Sequence, residues 1–161
     1  MTAEILVWTA IGAWACLSAH AGYTDLRAAR ISRRTCWAAG VAIAVLLASA
    51  GALLGDPLRW LWTLAGAAAV ALLLEVVYRW QPDKLGYGDV RLIIVNSLLA
   101  AWWGPAWPWW ALLAGAVAAW PAAALSAARE GRHGRVKWAP GLAIGTGAVV
   151  AWRVAAVGPL G

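Results

Sequence analysis

The sequence has few charged residues and no phenylalanine. Asp, Glu, Lys and Arg make up only 12% of its 161 residues, whereas a soluble domain carries about 25%. Hydrophobic residues account for 63% of the chain, so the solvent around it is predicted to be lipid. Cysteine is scarce as well, because Cys16 and Cys36 are its only two copies. They form no C-x-x-C pair, which excludes a zinc site made by cysteines alone.

Six apolar runs are long enough to cross a bilayer, which takes about 17–25 residues each. They are 4–22, 36–54, 58–78, 90–106, 107–127 and 138–158. Little chain is left outside them, so we predict an all-α polytopic membrane protein with one six-helix domain over 1–161. The first run has a small-x-small pattern at Ala19–Ala21 like that of a cleaved signal peptide. It lacks a basic n-region, so we interpret it as the first span.

The basic residues are distributed unevenly along the six predicted spans. Those between spans one and two, three and four, and five and six are Arg27, Arg30, Arg33, Arg34, Arg79, Lys84, Arg91, Arg129, Arg132, Arg135 and Lys137. Only Arg59 and Arg153 fall toward the other side. The positive-inside rule therefore predicts that these three loops are cytoplasmic and that both termini lie outside. The basic residues that give the net charge of +6 are then expected to set the topology and to contact anionic lipid headgroups. Nucleic acid is not an expected partner.

Tryptophan is the main aromatic residue, with fourteen copies. Five of them surround the predicted outer turn between spans four and five: Trp102, Trp103, Trp107, Trp109 and Trp110. An indole ring is apolar with one N–H, which favours the headgroup level of a membrane. We therefore predict an interfacial aromatic belt at this turn.

Two of the seven acidic residues lie at the cytoplasmic ends of predicted spans. Taken singly, Asp25 is explained by a loop ion pair with a neighbouring Arg, and Asp89 by an N-cap on span four. Taken together they share one side and one depth of the membrane, which a catalytic pair of carboxyl groups requires. Glu75 is different, because Arg79 follows four residues later and predicts a helical ion pair.

The stretch KLGYGDVRL surrounds Asp89. Glycine permits backbone forms that other residues resist, so Gly86 and Gly88 predict non-helical backbone before Asp89. Such backbone at membrane depth needs a wet or protein-lined cavity, and it can pair with an extended substrate strand. Asn96 lies two helical turns beyond Asp89 on the same face, where it could form a hydrogen bond to another helix.

Three motifs resemble those of a known family. GYGDVRL (86–92) resembles the Gly-x-Gly-Asp motif of intramembrane aspartyl proteases, and most closely the form found in type IV prepilin peptidases. YTDLRAARIS (23–32) resembles the first motif of that family, and WAPGLAIGTG (138–147) resembles its final-span motif. The three occur in the family's order within a six-span chain, so the resemblance covers nearly the whole sequence.

The resemblance implies an aspartic endopeptidase of the bacterial inner membrane. It would cut the short basic leader from a prepilin-like protein at the cytoplasmic face, just before the precursor's hydrophobic helix. Length suggests the short, peptidase-only form seen with tight-adherence (Flp-type) pili. The implied catalytic residues are Asp25 and Asp89, and the residues implied to bind substrate or shape the site are Gly86, Tyr87, Gly88, Arg91 and Pro140.

The expected chemistry needs no metal or cofactor. Two nearby carboxyl groups cannot easily both ionise, so they share one proton. The ionised group takes a proton from water as the water attacks the scissile carbonyl, and the protonated group supports the developing oxyanion. A different class, a small ion or proton-coupled transporter, would use the same two acids to bind a cation or relay protons.

The sequence departs from the family pattern at five positions. Ser32 and Arg33 stand where the family usually has Pro and Asn, and Arg91 replaces the usual Lys. Lys137 and Ala139 fall where Pro and Gly are common. None of these changes removes a proposed catalytic acid, but they bear on its fine positioning. A catalytically inactive homologue is therefore the third alternative.

Overall fold

The computed structural model describes residues 2–28, 31–80, 86–130 and 138–161, without the side chains of Ala127 and Glu130. Regular structure in these ranges is helical throughout. The helices are α1 (Ala3–Ala28), α2 (Arg33–Leu53), α3 (Pro57–Trp80), α4 (Tyr87–Ala100), α5 (Trp107–Glu130) and α6 (Ala139–Val157), with a 3₁₀ turn (Ala101–Trp103) after α4. The predicted all-α class is confirmed.

The helix boundaries follow from local chemistry. Ser32 caps α2, because its hydroxyl accepts a hydrogen bond from the Thr35 N–H at 3.4 Å. Gly104 has a φ of 127°, a backbone form that side chains disfavour, and it reverses the chain between the 3₁₀ turn and α5. Gly55, with a φ of 66°, does the same between α2 and α3. Short connections of this kind place consecutive helices side by side.

Five helices are long and apolar enough to cross a membrane within the described ranges: α1, α2, α3, α5 over Trp107–Ser126, and α6. They indicate a multi-pass membrane protein. The predicted fourth span differs, because α4 has only 14 residues and is about 21 Å long, less than the roughly 30 Å of a bilayer core. The six-span count and the outward termini therefore remain predictions.

Helix α4 lies at the centre of the bundle. It contacts each of the other five helices, and ten of its 14 residues are buried. These include apolar side chains such as Leu92 and Leu99 and polar ones such as Asn96 and Ser97. A helix surrounded by protein does not need the long apolar surface that lipid requires. Its central position brings the polar residues of α4 into contact with several other helices.

Helices α5 and α6 pack with their backbones in close contact. A Cβ atom on Gly141 would lie 2.5 Å from the Cβ of Ala119, and one on Gly145 would overlap the backbone nitrogen of Gly115. Only glycine allows this approach, and small residues at such positions are typical of helix pairs in membranes. The close contact fixes where α6 begins, and this end of α6 forms part of the site described below.

The predicted aromatic belt is wrong for two of its five tryptophans. Trp102 is 2% exposed and donates its indole N–H to the carbonyl oxygen of Pro159 at 3.0 Å. Trp103 donates to the carbonyl oxygen of Gly158 at 3.2 Å. Their N–H groups thus find partners inside the protein, in the segment after α6, rather than at the headgroup level. Trp109 and Trp110 are exposed, as a belt requires.

The predicted ion pair on α3 is confirmed. Arg79 donates from its Nε to the Glu75 carboxylate at 3.0 Å, and both side chains are exposed. The pair lies near the C-terminal end of α3, next to the loop between spans three and four that is predicted to be cytoplasmic. Five of the basic residues predicted to be cytoplasmic lie outside the described residues: Arg30, Lys84, Arg132, Arg135 and Lys137.

Candidate active site

Asp25 lies in the last turn of α1 and is 8% exposed. Its Oδ2 accepts a hydrogen bond from the backbone N–H of Ala139, the first residue of α6, at 3.3 Å. The N-terminus of a helix carries partial positive charge, so this contact stabilises negative charge on Asp25. The side chain therefore connects the end of α1 to the start of α6, instead of projecting into a solvated loop.

Asp89 is the third residue of α4 and is 9% exposed. The alternative interpretation of Asp89 as an N-cap does not hold, because Gly86 occupies the cap position and the Asp89 N–H donates to the Gly86 carbonyl oxygen at 3.0 Å. The Oδ1 atom of Asp89 is buried, and no described residue forms a hydrogen bond with it. A buried oxygen without a partner is rare in a folded protein and is a frequent feature of catalytic groups.

The two carboxyl groups come together at one end of the bundle. Both side chains are buried, and the charge of Asp25 acts on Asp89. The end of α1, the start of α4 and the start of α6 all meet there. That these two residues form a catalytic pair remains a prediction. Two like charges that interact in a buried place favour a state in which the pair holds one proton.

The glycines beside Asp89 differ in part from the expected non-helical backbone. Gly86 is extended, with φ −69° and ψ 133°, but Gly88 lies inside α4, so the prediction is wrong for Gly88. Both positions instead require glycine because a side chain there would come too close to a neighbouring atom. A Cβ on Gly86 would lie 2.9 Å from Asp89 Oδ2, and a Cβ on Gly88 would lie 3.1 Å from the Cβ of Ile31. The glycines leave room for the carboxyl group and let the α1–α2 connection pack against α4.

Tyr87 and Arg91 form an aromatic and cationic cluster next to Asp89. The Arg91 guanidinium lies 4.4 Å from the centre of the Tyr87 ring, within the range of a cation–π contact. The Tyr87 ring also contacts Tyr78 of α3, with 4.8 Å between ring centres. Its hydroxyl is 3.5 Å from Glu75 Oε2. The cluster connects α3 to the start of α4 on the exposed side of the site.

Pro140 is the second residue of α6 and directly follows the N–H that binds Asp25. Proline lacks an N–H and has a φ suited to the first helical turn, so it favours a helix start at this point. The structure thus places Pro140 beside the carboxyl pair through its neighbour Ala139. Sequence reasoning missed the Ala139 N–H, although a proline in the first turn of a helix signals an N-terminus able to bind an anion.

An apolar groove of about 220 Å³ runs along the membrane side of α4 and ends at Arg91. Its walls come from α2, α3 and α4, and include Trp37, Val41, Leu64, Ile94 and Leu98. Arg91 is its one charged lining residue among those described, and it lies two residues after Asp89. Neither Asp25 nor Asp89 lines the groove. Ile31, which packs on Gly88, lies in the first motif, YTDLRAARIS, but the sequence did not predict this contact.

No group of three His, Cys, Asp or Glu side chains is arranged to hold a metal ion within the described ranges. Asp25 and Asp89 supply two buried carboxyl groups to this part of the site. Such a pair can transfer protons to and from a water molecule and a substrate.

Comparison with known proteins adds one match. The sequence model of the type IV leader peptidase family covers residues 10–126, which include both Asp25 and Asp89 and end before α6. No curated protein and no solved structure was found to match the chain. The matched range spans most of the 161 residues, and the chain belongs to the type IV leader peptidase family.

Proposed function

We propose that this protein is an aspartic endopeptidase that removes the short basic leader from prepilin-like precursors. It acts at the cytoplasmic face of the bacterial inner membrane, with Asp25 and Asp89 as catalytic residues. The observation that carries the proposal is the burial of two carboxyl groups, at the end of α1 and the start of α4, in an apolar bundle that belongs to this family. Buried carboxyl pairs are costly and concentrate at functional sites.

The two carboxyl groups have different surroundings, which suggests their roles. Asp25 faces the N-terminus of α6, where negative charge is stabilised. Asp89 has a buried oxygen that no described residue binds, so its capacity for a hydrogen bond is unused by these residues. We therefore assign Asp25 as the general base and Asp89 as the proton-carrying partner at the start of the reaction.

The reaction then follows from these positions. Asp25 takes a proton from a water molecule while the water oxygen attacks the scissile carbonyl carbon, and Asp89 gives its proton to the carbonyl oxygen. The tetrahedral intermediate collapses when the C–N bond breaks. The leaving nitrogen gains the proton held by Asp25, and the new carboxyl group returns a proton to Asp89. The pair ends with one shared proton, as it began.

The charge distribution supports a cytoplasmic site. The described basic residues near the Asp25–Asp89 end of the helices are Arg27, Arg33, Arg34, Arg79, Arg91 and Arg129. Arg59 contacts the Leu160 and Gly161 carbonyl oxygens after α6, which places it at the other end. The positive-inside rule assigns the more basic end to the cytoplasm.

The apolar groove supports a substrate with a hydrophobic segment next to the scissile bond. Its lining among the described residues is apolar apart from Arg91, which lies two residues after Asp89. An apolar helix in the membrane could place its side chains there while the preceding polar residues remain at the site. The leader would then lie on the aqueous side, where its basic residues contact anionic headgroups.

A cleavage assay in membranes tests the proposal. A tagged precursor with a basic leader followed by an apolar helix is co-expressed with the protein, and the product is mapped by mass spectrometry. We expect one cut, between the leader and the apolar helix, that is absent from membranes without the protein. A precursor that stays intact in well-expressed wild-type membranes would disprove the proposed function.

A second prediction concerns the space at Gly88. Gly88→Ala adds a methyl carbon that would lie 3.1 Å from the Cβ of Ile31. Because this distance is shorter than an ordinary contact, the connection between α1 and α2 must shift by a few tenths of an ångström. We expect kcat to fall by roughly three- to tenfold, and Gly88→Val to cause a larger loss, since small misplacements at a catalytic site are costly. Steady-state cleavage kinetics provide the measurement.

The control for this change is Gly12→Ala in α1, where a new Cβ meets no atom within 4 Å. Alanine favours a helix interior over glycine by about 1 kcal/mol, so Gly12→Ala should not lower the thermal midpoint. Measuring the midpoint of Gly88→Ala beside it separates a loss of kcat from unfolding. Equal activities of the Gly88→Ala and Gly12→Ala proteins would contradict the role of Gly88.

A further inference from the structure

One buried hydrogen bond joins the two helices that carry the carboxyl pair. The indole N–H of Trp14 on α1 donates to Asn96 Oδ1 on α4 at 2.8 Å. Trp14 is 6% exposed and Asn96 is 3% exposed. The distance is that of a well-formed N–H···O bond. Since the bond lies in an apolar interior, breaking it leaves both groups unsatisfied.

The bond lies on the same helix faces as the carboxyl groups. Asn96 follows Asp89 by seven residues, about two helical turns, and Trp14 precedes Asp25 by eleven residues, about three turns. Residues at these spacings share a face of their helix. Helices α1 and α4 therefore meet at two separate levels, once at the carboxyl pair and once at the Trp14–Asn96 bond.

The other contacts between α1 and α4 do not fix how far one helix is displaced along the other. The buried side chains at this interface on α1 are mainly apolar, as in Leu17 and Ala21, and contacts between such groups change little when one helix slides past another. A hydrogen bond is directional and weakens steeply with distance and angle. Gly147 of α6 approaches the Trp14 ring, since a Cβ there would lie 3.4 Å from Trp14 Cη2. Helix α6 therefore packs against the indole ring in addition to α4.

We propose that Trp14 and Asn96 are positioning residues that set the register of α1 against α4, and so the spacing between Asp25 and Asp89. The effect on catalysis rests on the proposed function, but the effect on spacing does not. Acid and base groups must be held within a fraction of an ångström for efficient proton transfer, so a shift of the register lowers the rate of the chemical step.

Kinetics of leader cleavage by the reconstituted protein form the first test. Trp14→Phe removes the donor and keeps most of the ring, and Asn96→Leu removes the acceptor at similar volume. We expect each to lower kcat by about tenfold or more while KM changes by less than about twofold. The double variant should be no slower than the single variants, because both remove the same interaction.

Trp103→Phe is the matched control. It also removes a buried indole N–H bond, the one to the Gly158 carbonyl oxygen, but at the opposite end of the bundle. We expect a similar loss of thermal stability and a kcat within about twofold of wild type. A Trp14→Phe protein with wild-type kcat, or a Trp103→Phe protein that is equally slow, would overturn the proposal.

Cross-linking measures the spacing without catalysis. Asp25→Cys and Asp89→Cys are combined in a Cys16→Ala/Cys36→Ala background, and a short bifunctional thiol reagent joins the two positions. Trp14→Phe should lower the cross-linking yield, and Trp103→Phe should not. An unchanged yield disproves the register role. If the yield falls as expected but the wild-type protein cleaves no leader, the register inference stands and the proposed function fails.

Discussion

Asp25→Asn and Asp89→Asn should each lower the rate of leader cleavage by about 10³-fold or more. Asparagine has nearly the shape of aspartate, but it can neither take a proton from water nor give one to a carbonyl oxygen. A positioned general acid or general base typically raises the reaction rate by a factor of about 10² to 10⁴. The two groups act as one unit, so the double variant should be no slower than the single variants. Kinetics with the purified protein and a leader-bearing precursor provide the measurement.

Stability separates this effect from unfolding. In the Asp25→Asn variant, the new amide oxygen can still accept the Ala139 N–H that the wild-type carboxylate binds. In the Asp89→Asn variant, a neutral amide replaces a carboxyl group that carries the proton of the pair and has nearly the same shape. Thermal midpoints should therefore lie close to that of the wild-type protein. Fast cleavage by either well-folded variant would exclude the paired-carboxyl mechanism.

Glu4→Gln is the control for both substitutions. It makes the same chemical change in an exposed carboxylate in the first turn of α1, at the opposite end of that helix from Asp25. Surface substitutions usually change stability by less than about 0.5 kcal/mol. We expect cleavage at close to the wild-type rate, so a large loss in this variant would show that the assay responds to surface charge.

The helices could be predicted because their signals are local or cumulative. Long apolar runs identify spans by length. The position of Asp25 and Asp89 at one end of the bundle follows from the order of the helices. That argument needs no knowledge of which face each helix turns toward its neighbours.

The packing around the pair could not be predicted for the same physical reason. In a membrane, lipid-facing and protein-facing residues are both apolar, so hydropathy does not tell one face from the other. On α2, for example, Val41 and Val45 are exposed while Ile43 and Leu47 are buried. Whether Trp102 meets headgroups or the Pro159 carbonyl depends on such choices.

The glycine motif shows the same limit. From its neighbours in sequence, Gly88 indicates a flexible backbone, yet it lies in a helix and provides space for Ile31. The atom that fills the space belongs to a segment 57 positions earlier, and a single sequence gives no sign of that contact. The Trp14–Asn96 bond spans 82 positions, and only the polarity of Asn96 suggested that it would find a partner.

Gly145→Val should prevent α6 from packing closely on α5 and should strongly lower the stability of the folded protein. The Cβ of any residue at position 145 overlaps backbone atoms of Ala114 and Gly115, and the backbone of a helix cannot rotate away as a side chain can. Overpacking a core usually costs about 1–3 kcal/mol, and a clash with backbone belongs at or above the upper end. For a chain of this size 3 kcal/mol corresponds to a fall on the order of 10 °C in the thermal midpoint. The measurement is thermal unfolding of the detergent-solubilised protein.

Activity should be lost together with stability, because α6 supplies the Ala139 N–H to Asp25. If α6 moves away from α5, its first turn moves relative to α1, and the stabilisation of negative charge on Asp25 weakens. Ala151→Val is the control, since it adds carbon atoms on the exposed face of the same helix. It should leave the thermal midpoint within about 2 °C of wild type, as surface substitutions usually change stability by less than about 0.5 kcal/mol. A Gly145→Val protein that unfolds at the same temperature as the Ala151→Val protein would show that α5 and α6 do not pack as closely as the structure has them.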